Sequence, residues 1–288
     1  MNQTLNLIQR IATALLVLGL SGCANLAAIQ EFGRLSADGA GYTKLTQDYL
    51  SVPDRARKYA QGSGADQSAA LDALKAKRDA QAEGLSLQHK AVTDYMEAIA
   101  SLAADDVPSF DEPLGGLVDA ATSASQIPAN VAGPLKSVGS LLVSAVADGY
   151  RQRQLTQVIE AGNVPLQAIL RDLTTTIKAF ELDSEIELDR FDGYYQFLML
   201  TAGAKAERGK APEPAALFFI RDAYQEQRPA FAERSKQIAK YQETLTAIAE
   251  GHQKLYDHRD QISSPELLRQ VKGYSTRIRG AIKAIRNP

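Results

Sequence analysis

The sequence predicts an all-α protein: an elongated antiparallel bundle of about five long helices, with an apolar helical hairpin inserted in it. Three observations support this fold class. Good helix formers, above all Ala, Leu, Gln, Glu, Lys and Arg, dominate the chain beyond its N-terminal region. Apolar residues recur at helical spacing over long stretches that short turns separate. No alternating strand pattern is flanked by hairpin turns.

The first two predicted helices cover residues 26–104. The first is expected from about Leu26 to Ala60, with Gly39 and Gly41 weakening its middle and Pro53 bending or interrupting it. The turn QGSGADQ follows, and the second helix is expected over about 67–104. The apolar residues at helical spacing in these two segments include Phe32, Leu45, Tyr49, Leu71, Leu85, Val92, Tyr95, Met96, Ile99 and Leu102.

The third predicted unit begins near Lys136 and has two parts. Gly162 and Pro165, in the stretch AGNVP, are expected to interrupt it, because Gly and Pro together disfavour a continuous helix. Beyond this interruption, apolar residues from Leu166 to Leu198 continue at helical spacing.

The fourth predicted helix follows RGKAPEP and has the clearest periodicity in the chain. Leu217, Tyr224, Phe231, Ile238 and Leu245 lie seven residues apart, a pattern typical of coiled-coil-like packing. Pro229, within this pattern, is expected to kink the helix.

The last predicted helix opens at the stretch SSPE. Ser264 is expected to be the N-cap, Pro265 the first helical residue, and Glu266 part of the first turn. The expected buried edge of this helix is Leu268, Val271, Ile278, Ile282 and Ile285.

Residues 113–147 differ from the rest of the chain because only Asp119 and Lys136 in them are charged. Pro128 and Pro134 are expected to form a turn between two helical arms, one from about Leu114 to Ser125 and the other from Leu135 onward. This hairpin either packs on the bundle, as apolar runs of its length usually do, or forms a membrane-inserting or partner-docking tip. The layout resembles that of helical pore-forming toxins, which carry an apolar hairpin on a long bundle. Candidate interaction residues in the hairpin are Val118, Val131, Leu135, Leu141 and Leu142.

The N-terminal region has the features of an export signal. Residues 11–20 read IATALLVLGL, which is short of the roughly 20 apolar residues that span a bilayer. The run instead fits the apolar centre of a signal peptide, typically about 7–15 residues. Leu20-Ser21-Gly22-Cys23 follows, and Cys23 is the only cysteine. This stretch resembles the lipobox of bacterial lipoproteins.

The resemblance implies a domain organisation and a location. Residues 1–22 would be a signal peptide, 23–34 a lipidated N-terminus and tether, and 35–288 the helical bundle domain with the insert at 113–147. In lipoproteins the cysteine, here Cys23, carries diacylglycerol and a further acyl chain such as palmitate, which together anchor the protein stably. Ala24, in place of the Asp that commonly retains lipoproteins at the inner membrane, implies the outer membrane, facing the periplasm.

Charge and motif content exclude several function classes. With 32 basic and 34 acidic residues, the chain is not expected to bind nucleic acid. It contains no HExxH, GxSxG or glycine-rich phosphate loop, so neither an enzyme activity nor a cofactor is expected. His89, His252 and His258 lack the spacing of a metal site and are expected to be structural or exposed.

Two charged segments are possible binding sites. The acidic run ELDSEIELDRFD, residues 181–192, is expected to be a solvated helix face rather than a cation site, because its carboxylates do not converge. The C-terminal helix is rich in basic residues, which either complement the helix dipole or bind anionic partners such as lipid headgroups. The candidate interaction residues there are Arg277, Arg279, Lys283 and Arg286.

These observations favour a non-enzymatic, lipid-anchored periplasmic protein. Its partners would be the membrane, through the N-terminal anchor, and an envelope protein that it binds or braces. The alternative is a membrane-active helical protein that uses the hairpin at 113–147.

Overall fold

The structure is a computed structural model, and it describes residues 26–60, 65–104, 129–147, 154–207 and 214–287. Within these residues the regular structure is helical and contains no strand, so the predicted all-α class is confirmed. The α-helices of the described ranges are α1 (Ala27–Ala40), α2 (Lys44–Leu50), α3 (Val52–Arg57), α4 (Ala65–Ala104), α5 (Ala129–Ala147), α6 (Leu155–Glu207), α7 (Pro214–Gln227), α8 (Pro229–Asp257) and α9 (Pro265–Arg286).

Five of these helices are long, which matches the predicted number of about five but not the predicted set, because the first predicted helix is divided and the third predicted unit forms both α5 and α6. The helices α4, α5, α6, α8 and α9 have 40, 19, 53, 29 and 22 residues. They pack along one another around a shared apolar core, with α1 against α4, α8 and α9. At 1.5 Å per residue, α6 alone runs about 80 Å. The bundle is therefore elongated.

The first predicted helix is three helices in the structure. The chain leaves the helical path between Gly41 and Thr43 and again at Ser51, two residues before Pro53. Bends at these points let α2 and α3 follow the surface of α4 and α6. A single straight helix could not stay in contact with both.

The core starts earlier than the expected domain boundary at residue 35. Ile29 and Phe32 are fully buried, and Leu26 is 4% exposed. Gly33 allows α1 to lie directly on α4, since a Cβ at this position would come within 2.7 Å of the carbonyl oxygen of Met96. Of the expected tether, only residues 23–25 lie outside the described part of the chain.

The predicted interruption at Gly162 and Pro165 is wrong, because α6 runs through both residues. Gly162 serves close packing: a Cβ there would lie 2.4 Å from the ring of Tyr95. Pro165 removes one backbone hydrogen bond, to the carbonyl of Ala161. Ala161 is exposed, so its carbonyl can be hydrated instead.

Pro134 likewise lies inside α5 and not in a turn, so that part of the hairpin prediction is also wrong. The carbonyl that loses its partner belongs to Asn130, which is exposed to solvent. The second arm begins at Ala129 instead of Leu135. The first arm, from Leu114 to Ser125, lies outside the described residues.

At Pro229 the structure has a boundary between two helices where a kink in one helix was expected: the chain turns at Arg228, and Pro229 opens α8. The predicted cap of the last helix is confirmed. The oxygen Oγ of Ser264 accepts a hydrogen bond from the backbone N–H of Leu267 at 3.4 Å and caps α9. The buried heptad residues of α8 are Phe231, Ile238, Tyr241, Leu245, Ile248 and Leu255.

Contacts between the helices show which residues lie at each of the two ends of the bundle. At the N-terminal end, Tyr95 of α4 donates a hydrogen bond to the carbonyl of Val158 on α6. At the distal end, the rings of Tyr59 and Phe231 pack against Phe191 of α6 in edge-on and tilted orientations. Val158 and Phe191 are about 50 Å apart along α6.

Candidate interaction surface

The described arm of the predicted hairpin is packed into the core. Val131, Leu135 and Leu142 have no exposed surface, and Leu141 is half-buried against the same cluster. The helix that carries them, α5, packs along α6 and against α4. Val118 lies outside the described residues. In this conformation the described arm offers few large apolar groups to a partner.

Three of the four basic candidates on α9 form ion pairs within the chain. Arg277 pairs with Glu250 of α8 at 2.6 Å, Arg286 pairs with Asp38 of α1 at 2.5 Å, and Arg279 pairs with Glu31 of α1. The fourth, Lys283, is exposed. These contacts hold α9 to its neighbours, although exposed ion pairs each contribute only about 0–1 kcal/mol.

The acidic run is not a wholly solvated face, which corrects the expectation for Glu187. This carboxylate is 2% exposed and lies between two guanidinium groups, those of Arg55 on α3 and Arg234 on α8. Arg55 binds both carboxylate oxygens, at 2.9 and 3.0 Å. Glu187 thereby ties α3, α6 and α8 together.

Two further carboxylates of the same run bind arginines elsewhere. Asp183 accepts from Arg78 at 2.5 Å, and Arg78 also donates to the hydroxyl of Tyr49. Asp192 accepts from Arg228 at 3.3 Å and from the hydroxyl of Tyr224 at 3.0 Å. These carboxylates point to different partners and do not converge on one point. No group of three metal-ligating side chains occurs among the residues that the structure describes.

A cleft of about 430 Å³ opens beside Glu187 at the distal end. Lys58, Tyr59 and Arg234 are among its lining residues. Burial lowers the pKa of Arg234, and the nearby Glu187 carboxylate opposes that effect. Three charged groups that line this cleft, those of Arg55, Arg234 and Glu187, thus form ion pairs with one another.

Two of the three histidines are buried in hydrogen-bonded positions between helices. His89 donates from Nδ1 to the carbonyl of Ala40 at 2.7 Å and accepts at Nε2 from Thr46 at 2.7 Å. Both partners lie at or beyond the end of α1, so His89 helps to hold the bend between α1 and α2 against α4. Burial lowers the pKa of His89 below its usual value.

The second histidine, His252, joins α8 to α4 and α6. Its Nε2 lies 2.7 Å from the hydroxyl of Tyr95, and its Nδ1 lies 3.0 Å from the amide oxygen of Asn163. Full burial lowers the pKa of His252 to about 3. A buried neutral ring with both nitrogens hydrogen-bonded is a structural group.

The large apolar side chains that remain exposed are concentrated at the distal end. Of the eight in the described residues, six lie on the C-terminal half of α6 or on α7. Phe197 is 65% exposed and Leu200 73%, and Phe218 and Phe219 of α7 stack edge to face against each other. The six residues are Leu182, Ile186, Phe197, Leu200, Phe218 and Phe219. We call this set the distal apolar surface.

A signal for this surface is present in the sequence, although none of its six residues is among the candidates named from the sequence. The buried residues of α6, such as Leu173, Ile177 and Phe180, form one helical stripe. Leu182 and Ile186 belong to a second stripe that the same spacing continues to Phe197 and Leu200. Two apolar stripes on one helix indicate a second contact face.

The N-terminal features are not part of the described structure. Cys23 and the apolar run before it lie outside the described residues. Within the described helices, none combines the length and the apolarity needed to cross a bilayer.

Comparison with known proteins identifies no relative of this chain. No family model matches the chain, and no curated protein or solved structure is significantly similar to it.

Proposed function

We propose that this protein is a lipid-anchored component of the bacterial cell envelope that binds or braces other components and is not an enzyme. Cys23 would carry the lipid, and the outer membrane facing the periplasm is the proposed location. The distal apolar surface, and not the hairpin at 113–147, is the proposed contact site.

One observation carries this proposal. The packed body begins at Leu26, three residues after Cys23, and the distal apolar surface lies at the opposite end of the bundle. Exposed apolar patches of this kind mark interaction sites in soluble proteins. A body of this shape suits a spacer that holds its contact surface tens of ångströms from the anchored end.

Anchoring is tested by metabolic labelling with a palmitate analogue. The wild-type chain is expected to incorporate the label, and Cys23→Ser is expected to abolish incorporation and to leave an uncleaved precursor. Because Cys23 is the only cysteine, labelled Cys23→Ser protein would refute the anchor.

Binding at the distal end is tested with a photo-crosslinking residue at Phe218. A matched control carries the same residue at Val164, which is 76% exposed on α6 near the N-terminal end. Crosslinked products from position 218, and none from position 164, are expected. Equal labelling at the two positions would contradict a distal contact site.

The membrane-active alternative requires α5 to leave the core. Val131, Leu135 and Leu142 are fully buried, so their release would cost about 1.5–3 kcal/mol for each side chain. Leakage of dye from liposomes by the unlipidated chain is the measurement that would favour this alternative.

A further inference from the structure

The two arginines beside Glu187, in the cleft at the distal end, differ in how many of their donors are used. Arg55 donates from Nε and Nη2 to the two carboxylate oxygens of Glu187. Its Nη1 donates to the carbonyl of Asp48 and to Oγ of Ser51. Arg234 donates from Nη1 to Glu187 at 3.1 Å, and no other hydrogen bond joins its side chain to a described residue.

The Nε–Nη2 edge of Arg234 thus has no partner in the described part of the chain, and it keeps contact with solvent. The side chain is 16% exposed and lines the cleft, and neither nitrogen is among the fully buried atoms that lack a partner. The guanidinium lies over the ring of Phe231, 5.1 Å from its centroid. This packing holds the edge in place before a ligand binds.

The charges around this edge leave a positive excess in the least exposed part of the cleft. Arg55, Glu187 and Arg234 are 20%, 2% and 16% exposed, and together they carry one net positive charge. Lys58 adds an exposed ammonium group that forms no ion pair with the described residues. Glu226, the second carboxylate of the lining, is exposed, so water screens its charge.

We propose that this cleft is a binding site for a small organic carboxylate. The two carboxylate oxygens accept side by side from Nε and Nη2 of Arg234, and Lys58 supplies a second positive charge. The apolar body of the ligand lies against the rings of Tyr59 and Phe231, which line the same cleft. The site goes beyond the proposed function, because it takes a small molecule and none of the six residues of the distal apolar surface lines it.

The pair formed by Arg55 and Glu187 shows the geometry that such a ligand adopts. There the same two nitrogens of a guanidinium hold both oxygens of a carboxylate, at 2.9 and 3.0 Å. Paired, charge-assisted hydrogen bonds of this kind are stronger than neutral ones, and they need the planar fork of arginine. The free edge of Arg234 offers the same two donors to a second carboxylate.

Charge favours a carboxylate over a phosphate ester, and size favours a small molecule. One carboxylate balances the single net charge of Arg55, Glu187 and Arg234. A phosphate group carries a charge of about −1.5 to −2 at pH 7, and the carboxylates of Glu187 and Asp48, which already act on Arg234, would repel it. The cleft of about 430 Å³ falls in the range of about 300–1,000 Å³ for small-molecule sites.

The test uses the full chain in a non-ionic detergent and three probes with the same ring: benzoate, benzamide and phenyl phosphate. Ligand-observed NMR measures each dissociation constant, with the detergent alone as the blank. Benzoate is expected to bind with a Kd on the order of 1 mM, which suits a ligand of its size. Benzamide, which has no charge, and phenyl phosphate, which has excess charge, are expected to bind at least about tenfold more weakly.

Substitutions test which side chains hold the carboxylate. Arg234→Lys keeps a positive charge beside Glu187 but loses the fork, so benzoate binding is expected to weaken roughly tenfold or more. Lys58→Gln, at an exposed position, is expected to weaken binding about threefold, and it keeps the test valid if Arg234→Lys unfolds the chain. The control Arg269→Lys, at a site 76% exposed on α9, is expected to bind like the parent. A Kd equal to the parent's in both cleft variants would contradict the proposed contacts.

Photolabelling tests the position of the site. The parent chain is irradiated with 4-azidobenzoate, and the labelled residues are identified by mass spectrometry. Labels are expected within residues 55–59 and 226–234, and an excess of benzoate is expected to remove them. Labels at Phe218 and Phe219 in place of the cleft would assign the binding to the distal apolar surface and overturn the proposal.

Three results of the titrations would also overturn it. Absence of saturable benzoate binding up to about 20 mM excludes the site, and equal binding of benzamide excludes recognition of an anion. Tighter binding of phenyl phosphate assigns the cleft to phosphate esters. None of these results depends on acylation of Cys23 or on crosslinking from position 218, so failure of this site and failure of the proposed function are distinguishable.

Discussion

The two ends of α6 lie in opposite environments. At the N-terminal end, Gly162 and Asn163 are buried against Tyr95 and His252, with polar groups paired and little free space. At the distal end, Phe197 and Leu200 of the same helix face solvent. One continuous helix thus supplies both a closed core and an open apolar face.

The difference shows that helical periodicity alone does not identify the core. Both ends of α6 have apolar residues at helical spacing, but near the N-terminal end α4, α5 and α8 pack around the helix. Toward its C-terminal end, Phe191 of α6 still contacts Tyr59 and Phe231, and α7 lies beside the helix there. In the described part of the chain these neighbours leave the side chains of Phe197 and Leu200 exposed.

The largest expected contrast comes from a charge placed in each environment. Ile238→Asp puts a carboxylate at a position with no exposed surface, and the free energy of unfolding is expected to fall by about 4 kcal/mol or more. Phe219→Asp, at a site that is 66% exposed, is expected to change it by less than about 0.5 kcal/mol. Chemical denaturation measures both values. Equal losses would mean that Phe219 is buried in solution.

Removal of the buried carboxylate between two arginines is expected to have the next largest effect. Glu187→Gln leaves Arg55 and Arg234 close together without an anion, at a cost of about 3–5 kcal/mol. Glu185→Gln, on the exposed side of the same helix, is expected to be nearly neutral. Thermal unfolding of the two variants compares them, and similar midpoints would show that residues 181–192 are one solvated face after all.

Low pH is expected to destabilise the packing around the N-terminal end of α6, where His252 is buried. The pKa of this group is lowered from its usual 6.5 to about 3, so below pH 6.5 the unfolded chain binds a proton that the folded chain does not. Its contribution to stability is complete above pH 6.5 and is lost as the pH falls toward 3, by about 1.4 kcal/mol per pH unit.

The pH effect is measured as the free energy of unfolding between pH 7 and pH 5, above the range in which most carboxylates titrate. His252→Gln is expected to be less stable at pH 7 but to show a flatter pH dependence. His258→Gln, at an exposed position, should keep the dependence of the parent. A parent profile that is flat between pH 7 and pH 5 would mean that His252 is hydrated.

The smallest contrast uses two glycines of α6. Gly162→Ala places a Cβ 2.4 Å from the ring of Tyr95, and overpacking of this kind costs about 1–3 kcal/mol. Gly193→Ala meets nothing within 4 Å, so its better helix propensity should add about 0.5–1 kcal/mol. Chemical denaturation is expected to show a lower free energy of unfolding for Gly162→Ala and a higher one for Gly193→Ala. Stabilisation by both substitutions would disprove the close approach of Tyr95 to α6.

The long helices and their main core stripes were predictable from residues near one another in the chain. The heptads of α8 and the Ser264 cap of α9 are local signals, and both are confirmed. The predicted interruption at Gly162 and Pro165 is wrong for a physical reason. Its local cost is one backbone hydrogen bond, and packing of Gly162 against a tyrosine 67 positions earlier in the chain compensates for it.

The candidate site was less predictable, because exposure depends on what packs nearby. The apolar residues of α5 and the basic residues of α9 were the natural candidates by type. In the structure, Val131 and Leu135 are core residues, and Arg279 and Arg286 pair with α1. Nothing near these residues in the sequence specifies such partners.

The sequence by itself determined the helical class, the long helices and the helix ends at Pro229 and Ser264, because these follow from propensity, periodicity and capping within a few residues. Only the tertiary structure decided which stripe of α6 is core and which is exposed. It also decided that Glu187 is buried while Glu185 is solvated. Those outcomes depend on which helices surround α6 at each level, and that is a property of long-range packing.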